Sequence, residues 1–479
     1  MTAAGRVKAA WRGGPLADRN FRLLTAGQFT STVGDFCYAV ALPWLVLSTH
    51  GGPVLLGTVL ACYGVPRTVL IPLGGVLADK LGPQTIMLAA DVVRCGLVAV
   101  LAVFAARNFA SLAALGPVAA LLGAGEGLFL PASFAIMPAL LEPDGLQAGN
   151  ALNSAAVQLG SLLGPVLGGT LVALAGSAPA FAVDAASFAV SAAALALISR
   201  RATAADADAQ PGTQPDSPPG AQPDAGSDAG SGTAQSGRPQ DAAPNIWRLL
   251  RTARVLQVII IVCVAANFAF GGTLEVALPT LAHASFGAAG YGVLIACFGA
   301  GAVTGTLAAA RAKTLGRPAL VACAAFVAEG AAVGVVPFLG GLPGAAGAIL
   351  VFGSLNGFGN VIMITLLQQW APSRLIGRVM SMVMLASMGT FPVSVAISGV
   401  LVRGFGPAVF FPVAGAALAL TVLGAVTQRE IRDFGVNPGP AGPGVPAEPY
   451  GSAEPPPAPA EPYGPAEPRG PAEPAAGPA

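Results

Sequence analysis

The stretch Gly74-Gly75-Val76-Leu77-Ala78-Asp79-Lys80-Leu81-Gly82 is a short, glycine-rich and charged connection between two long apolar runs. Residues 54–73 precede it and residues 85–105 follow it, and each run is long enough to cross a bilayer as an α-helix. The connection carries one acid, Asp79, and one base, Lys80, which suit a loop at the water-exposed surface of a membrane. The pattern therefore predicts two consecutive membrane spans joined by a charged turn.

The composition of the whole chain indicates the same environment. Its 479 residues are 54% hydrophobic and only 10% charged, and the mean hydropathy is +0.70. Soluble domains carry about 25% charged residues, so most of this chain requires a bilayer as its solvent. The net charge is only +1 and the sequence has no basic block, so we expect no nucleic-acid partner.

The apolar runs predict an all-α membrane protein with 12 transmembrane helices in two six-helix bundles. Helices are expected because a run of this length must satisfy its own backbone hydrogen bonds in lipid. The predicted spans are residues 23–48, 54–78, 85–105, 110–138, 148–175, 178–198, 255–282, 287–310, 318–339, 344–370, 378–402 and 405–427.

Two segments lack the apolar residues that a span or a packed core requires. Residues 201–245 are rich in Ala, Asp, Gln, Pro, Gly and Ser, and residues 433–479 contain repeated Ala-Glu-Pro units. Such compositions cannot bury enough apolar surface to fold, so we expect a disordered linker and a disordered, polyproline-like tail. The predicted organisation is a bundle over residues 1–200, the linker, a second bundle over residues 246–432, and the tail.

The basic residues predict the orientation of the chain. With both termini in the cytoplasm, nearly all of the 24 Lys and Arg residues lie on the cytoplasmic side. Only Arg107 and Arg403 fall outside, while Arg67 and Arg94 lie within spans. This asymmetry follows the positive-inside rule, and an odd number of spans would destroy it. We therefore expect a multi-pass protein of the cell (cytoplasmic) membrane with both termini cytoplasmic.

The two halves of the sequence contain related segments in the same order. Val40-Ala41-Leu42-Pro43-Trp44-Leu45 in the first span recurs as Val276-Ala277-Leu278-Pro279-Thr280-Leu281 in the seventh. Leu81-Gly82-Pro83 after the second span recurs as Leu315-Gly316-Arg317 after the eighth. Parallel six-helix halves of this kind place a substrate site at mid-depth, where the halves meet.

The connection after the second span resembles the signature loop of the major facilitator superfamily, which reads Gly-x-x-x-Asp-(Arg/Lys)-x-Gly. The residues that match this pattern are Gly75, Asp79, Lys80 and Gly82. The resemblance implies a major facilitator fold and a gating loop, in which Asp79 contacts the start of span 11 in one state only. That start offers free N–H groups and the cation of Arg378. The alternative is a turn that is short for topological reasons alone.

The fifth span contains the pattern Gly160-x-x-x-Gly164-Pro165-x-x-Gly168-Gly169. Glycines four residues apart lie on one helix face and allow close approach of another backbone, and the proline bends the helix. The pattern resembles the fifth-helix antiporter motif of the same superfamily, which is associated with exporters. Ordinary helix packing is the alternative reading.

Unpaired polar residues lie in spans 1, 4, 7 and 10, which by the same resemblance line the central cavity. A charged residue at mid-bilayer is costly, so such groups usually face a cavity or a partner. The candidate substrate-cavity residues are Gln28, Ser31, Tyr38, Asn267, Glu275, Asn356 and Asn360.

Two further acids within the spans are candidates for proton coupling. Asp35 lies near the middle of span 1 and Glu126 near the middle of span 4. A carboxylate that is withdrawn from water can bind a proton near neutral pH. The alternative is a permanent ion pair, for which Arg67 and Arg94 are the obvious partners.

The resemblance and the polar groups predict a secondary active transporter. We expect it to export a small amphipathic molecule, such as a drug, an antibiotic or a siderophore-like compound, in exchange for protons. Proton-linked uptake or lipid transport in the same fold is the alternative. The sequence has neither a Gly-Lys-Ser/Thr phosphate loop nor a metal-binding pattern, so we expect no enzyme activity and no cofactor. The expected partners are the substrate, protons and the lipid bilayer, and we expect a monomer.

Overall fold

The structure is a computed structural model, and it describes residues 15–141, 143–199, 251, 253–312, 316–371 and 375–435. The chain divides into two compact units, residues 1–438 and 439–479, and the second unit lies outside the described residues. The predicted linker, 201–245, and the predicted tail beyond residue 435 also lie outside them. The assignment of these two segments as disordered stays a prediction.

The described residues form twelve helices that are long and apolar enough to cross a membrane, and they contain no strand. This confirms the predicted all-α membrane fold. The helices are α1 (Arg19–Ser48), α2 (Gly52–Leu81), α3 (Pro83–Ala106), α4 (Leu112–Leu140), α5 (Pro143–Ala175), α6 (Ser177–Ala196), α7 (Arg254–Ser285), α8 (Gly287–Arg311), α9 (Pro318–Val335), α10 (Gly341–Trp370), α11 (Ile376–Phe405), α12 (Pro407–Val426) and the short α13 (Arg429–Arg432).

Local sequence explains where the helices begin. The Asp18 side chain accepts hydrogen bonds from the backbone N–H groups of Asn20 and Phe21, so α1 begins four residues before its apolar run. Gly82 has a φ of 83°, which favours glycine, and it turns the chain sharply between α2 and α3. Pro83 then occupies the first turn of α3, where a missing N–H costs nothing.

The helix surfaces are apolar where they do not contact other helices. Phe134 is 70% exposed and Leu174 is 82% exposed, and many Val and Leu side chains on other spans are similarly uncovered. Exposure of this extent would be unfavourable in water. It fits a bilayer as the surrounding solvent.

The helices pack into two groups with matching neighbours. In the first group α1 packs against α5 and α6, α3 against α4 and α6, and α2 against α4. In the second, α7 packs against α11 and α12, α9 against α10 and α12, and α8 against α10. Adding six to each number in the first group gives the second, so the halves repeat one another as the sequence predicts.

The halves contact each other through α2 with α11 and through α5 with α8. We call the end where α1 joins α2 the His50 face, and the opposite end, where α2 joins α3, the Asp79 face. Gly57 on α2 lies against the carbonyl of Val395, and the Trp44 and His283 rings lie 4.8 Å apart. Among the described residues, the polar, ring and close backbone contacts between the halves extend from the His50 face to the middle of the helices, where the Thr68 hydroxyl donates a hydrogen bond to the carbonyl of Met388. The bundle is therefore closed at the His50 face.

Candidate functional site

A cavity of about 330 Å³ lies where the two halves meet. Both halves contribute to its wall, although most of the lining residues come from α1 to α6. The cavity is lined by Thr32, Asp35, Phe36, Tyr38, Ala39, Leu42, Pro43, Leu60, Tyr63, Arg67, Arg94, Val98, Leu122, Glu126, Asp184, Phe188, Glu275 and Phe391. Aromatic rings and charged groups therefore share one compartment at mid-depth.

Arg94, on α3, is the centre of the charged part of the cavity. Its side chain is almost fully buried, and its Nη2 donates hydrogen bonds of 3.1 Å to Asp35 Oδ1 and to Glu126 Oε2. The guanidinium also lies 4.2 Å from the centre of the Phe188 ring and 3.8 Å from Asp91 Oδ1. A buried cation in this setting requires these partners, because unpaired charge inside a helix bundle is strongly unfavourable.

Glu126, on α4, connects both arginines of the cavity. Its Oε1 lies 3.2 Å from Arg67 Nη2, and its Oε2 accepts hydrogen bonds from Arg94 and from the Tyr63 hydroxyl, the latter at 2.8 Å. Asp35, on α1, pairs with Arg94 and with no other described residue, and 43% of its side chain is exposed. Asp35 is therefore the acid of this network that water reaches most easily.

Three glycines around Glu126 make this arrangement possible. A methyl group at Gly123 would collide with the carbonyl oxygen of Tyr63, and one at Gly127 would collide with that of Arg67. A methyl at Gly125 would lie 3.2 Å from the Arg94 side chain. Close approach of α4 to α2 and α3 thus brings Tyr63 and both arginines within reach of one carboxylate.

Asp91 fixes the other side of Arg94. It is fully buried one turn earlier on α3, and its Oδ2 accepts a hydrogen bond of 2.6 Å from Ser191 on α6. This hydrogen bond links α3 to α6 one turn before Arg94. It therefore helps to fix the position of the guanidinium.

Two more acids line the cavity without an ion pair among the described residues. Asp184, on α6, is 1% exposed, and Glu275 lies in a π-helical turn of α7, Thr273–Ala277. Single π turns inside α-helices occur frequently at functional sites. The cavity wall therefore contains four carboxyl groups and two guanidinium groups.

The structure brings some of the predicted site residues together and separates others. Asp35 and Glu126 share Arg94, and Tyr38 and Glu275 lie in the cavity wall. Ser31 is 5% exposed, and Gln28 accepts a hydrogen bond from Asn153 on α5. Neither of these two lies in the cavity wall.

The predicted amide residues of the second half also lie outside the cavity wall. Asn267 donates hydrogen bonds to the carbonyl of Cys263 and to Ser387 on α11. Asn356 donates to Glu329 on α9, and Asn360 is exposed. A role for these residues along a substrate path stays a prediction.

The glycines of the fifth-span motif have two sets of neighbours. Gly160, Gly164 and Gly168 face α1, where methyl groups would press against Thr32, Phe36 and Cys37 respectively. Gly169 instead faces α8 of the other half, against Ala288 and Gly292, and the carbonyl of Pro165 also meets Gly292. The motif therefore forms part of the contact that closes the His50 face.

The predicted gating loop lies at the Asp79 face. Gly75, Asp79 and Lys80 belong to the last turns of α2, Gly82 follows, and both charged side chains are exposed. Asp79 has neither a hydrogen bond nor an ion pair among the described residues. Arg378 lies in the first turn of α11, and its side chain lies outside the described part of the chain. Contact between Asp79 and Arg378 stays a prediction.

Tyr63 is a part of the network that the sequence did not assign to the site. The run Gly123-x-Gly125-x-Gly127 around an acid was a usable signal, because it predicts close contact on more than one side of Glu126. Within the described residues no group of His, Cys, Asp or Glu has the geometry of a metal site.

Comparison of the sequence with known protein families identifies the family of this chain. A model of the Major Facilitator Superfamily matches residues 24–391, and the chain belongs to that superfamily. It is thus a transporter and not an enzyme.

Similar proteins have related descriptions. An uncharacterized MFS-type transporter, y4rN, from Sinorhizobium fredii is 25% identical over 392 residues, which are 81% of this chain and 90% of that protein. The multidrug efflux pump Tap of Mycolicibacterium fortuitum is 32% identical over 177 residues, which are 34% of this chain and 40% of the pump.

Solved structures share the fold at low sequence identity. The nucleoside transporter NupG has a TM-score of 0.63 at 12% identity, with 85% of this chain and 99% of that chain covered. A D-xylose–proton symporter has a TM-score of 0.59 at 14% identity, with 87% and 96% covered.

Proposed function

We propose that this transporter exports a small amphipathic molecule in exchange for protons, by alternating access, with Asp35 and Glu126 as its proton-coupling residues. The observation that carries the proposal is the shared guanidinium of Arg94. Asp35 and Glu126 both bind it, and Asp35 is open to the cavity. Protonation of either acid neutralises it and so removes its ion pair with Arg94. Proton binding is therefore linked to the packing around Arg94.

The contacts between the halves support a particular stage of the cycle. We propose that the Asp79 face is cytoplasmic, as the basic residues indicate, so that the closed His50 face is extracellular. In this inward-open state Asp35 and Glu126 form ion pairs, which is the arrangement expected after the proton has left for the cytoplasm. Substrate then enters the cavity, and protons reload the acids after the bundle opens outward.

The composition of the cavity supports an amphipathic substrate. Phe36, Tyr38, Phe188 and Phe391 offer aromatic surface, while Asp184 and Glu275 offer carboxyl groups that no described cation pairs with. Export, as opposed to uptake, is supported by the fifth-span motif at the α5–α8 contact and by the partial similarity to an efflux pump. We also propose that the protein acts as a monomer in the cell membrane.

Accumulation in whole cells tests the direction of transport. Cells that lack their own efflux pumps would express the wild-type protein, Asp35→Asn or Glu126→Gln, and take up a panel of fluorescent lipophilic cations and antibiotics. We expect the wild type to lower accumulation of at least one probe, and the variants and a proton uncoupler to restore it. Raised accumulation would instead indicate proton-linked uptake, and an effect on labelled lipids alone would indicate lipid transport.

A further inference from the structure

A second buried carboxyl group lies in the C-terminal half, away from the cavity wall. Glu329, on α9, is 1% exposed, and its Oε1 accepts a hydrogen bond of 3.1 Å from Nδ2 of Asn356 on α10. Its Oε2 is buried and has no hydrogen-bond partner among the described residues. One oxygen of this carboxyl group is thus unsatisfied inside the helix bundle.

Within the part of the chain that the structure describes, the elements packed around Glu329 provide no counter-charge. The elements packed against α9 are α10, α12, α13 and the single 3₁₀ turn Val336–Phe338. The sequences of α10, α12 and the 3₁₀ turn contain no Asp, Glu, Lys, Arg or His, and the other titratable side chain of α9 is Cys323.

The charged residues of α13 are too far away to pair with Glu329. This helix carries Arg429, Glu430 and Arg432, and the chain directly after it meets α9 at Pro318, where Gly435 packs. Glu329 lies three helical turns further along α9, about 16 Å from that end. An ionised carboxylate without a cation is strongly unfavourable at this depth, whereas a protonated carboxylic acid is neutral.

Two amide side chains of α10 lie next to Glu329 on the side of the Asp79 face. Asn360 is exposed one turn nearer to the Asp79 face than Asn356, and its Nδ2 donates a hydrogen bond of 3.0 Å to the Asn356 carbonyl. Asn356 in turn donates to Glu329. The two amides follow one another along α10 from Glu329 toward the Asp79 face, and the farther one, Asn360, is exposed.

We propose that Glu329 is a second proton-binding site, in the C-terminal half. It holds a proton on Oε2 in the conformation described here and exchanges it with water at the Asp79 face along Asn356 and Asn360. The site is distinct from the Arg94 network and does not depend on the direction of transport. Each half of the transporter would then contain its own proton site.

Infrared spectroscopy of the full-length protein in lipid tests this site without any substrate. Glutamate would be labelled with ¹³C, and the C=O stretch of protonated carboxylic acids would be recorded from about pH 5 to about pH 10 for the wild type and Glu329→Gln. We expect a labelled band that disappears reversibly at high pH in the wild type and is missing from Glu329→Gln.

A second variant, Asn356→Leu, changes the pH at which Glu329 loses its proton while it keeps the carboxyl group in place. Asn356→Leu removes the N–H that stabilises the ionised form, so the band should persist to higher pH than in the wild type. A band unchanged by Glu329→Gln, or one that never titrates, would overturn the proposal. Because the readout is a bond vibration of Glu329, failure of the export proposal would leave this result unaffected.

Discussion

The crossing of α2 with α4 and the crossing of α8 with α10 are built in the same way, from two glycines four residues apart. In the first half, Gly123 and Gly127 of α4 lie against the carbonyl groups of Tyr63 and Arg67 on α2. Their counterparts in the second half, Gly353 and Gly357 of α10, lie against the carbonyl groups of α8.

The side chains at the two crossings have different chemistry. The α8 residues behind those carbonyls are Phe298 and Ala302, in place of a tyrosine and an arginine. Phe298 joins Phe270 and Phe352 in an aromatic cluster with ring centres 5.0–6.3 Å apart. Asn356 is the residue that corresponds to Glu126 by its place before the second glycine.

The two crossings show that the glycine packing and the charged side chains are separate features of the molecule. Close-packed glycines position the backbones equally well in both halves, so the packing itself does not require charge. The ion pairs of the first half are therefore an addition to a common frame. They support the proposed role of Asp35 and Glu126 in the first half, while the aromatic cluster of the second half supplies apolar surface.

We expect the largest effect on stability and transport from removal of the Arg94 guanidinium, which binds three acids of the first half. Arg94→Met leaves Asp35, Asp91 and Glu126 without their shared cation. Removal of one partner from a buried ion pair typically costs about 3–5 kcal/mol. We expect a large fall in the thermal unfolding temperature in detergent, together with loss of transport. Arg429→Met, at an exposed site on α13, is the control, and an equal fall in that variant would contradict the account.

The matched glycines of the two crossings test whether packing and chemistry are separable. Gly123→Ala and Gly353→Ala each place a methyl group against a backbone carbonyl, so both should lower the unfolding temperature by similar amounts. Only Gly123→Ala also displaces Tyr63 and Arg67 from Glu126. We expect that variant alone to lose proton-coupled transport, measured in proteoliposomes at matched protein amounts. Equal loss in both variants would assign the effect to packing.

A smaller effect is expected from the hydroxyl that distinguishes Tyr63 from Phe298. Tyr63→Phe removes a donor to ionised Glu126, and hydrogen bonds to charged groups contribute about 1.5–3 kcal/mol. The carboxylate is then less stabilised and binds a proton at higher pH. The pH dependence of transport should therefore move upward by about one to two pH units.

The reciprocal variant, Phe298→Tyr, is the control for this hydrogen bond. It adds a hydroxyl to the aromatic cluster, where no ionisable group depends on it. Its pH profile should match that of the wild type. A downward move for Tyr63→Phe would show that the hydroxyl stabilises the neutral acid instead.

The smallest effect on stability is expected at the loop in which the halves also differ. Asp79 has no counterpart in the second half, where residues 305–316 contain no acid. Because Asp79 is exposed and without an ion pair among the described residues, Asp79→Asn should leave the unfolding temperature unchanged. If it contacts α11 only in the opposite conformation, transport should slow several-fold. An unchanged rate would leave the loop without a gating role.

Much of the fold was predictable from the sequence because lipid imposes simple rules on chain length and polarity. All twelve spans follow from apolar runs, although helix ends such as Arg19 depend on a capping side chain that hydropathy does not detect. The π turn around Glu275 was not predictable, since hydrophobic periodicity does not reveal a single wide turn. The linker and tail remain predictions from composition.

The candidate site was predictable only as a set of residues. Charge inside the spans identified Asp35, Glu126, Arg67 and Arg94, because burial of charge requires a reason. Which acid pairs with which arginine depends on helix rotation and close packing, which spacing does not determine. Tyr63 was missed because a tyrosine within an apolar run is usually a packing residue.

Proton movement in proteoliposomes tests the central claim most directly. A pH-sensitive dye inside the vesicles would report proton flux when a probe identified in the cell assay is added. We would compare the wild type, Asp35→Asn, Glu126→Gln and Glu430→Gln, the last being removal of an exposed acid on α13. The account predicts probe-dependent proton flux in the wild type and Glu430→Gln, and its loss in the two cavity variants. Flux that persists in both Asp35→Asn and Glu126→Gln would contradict it.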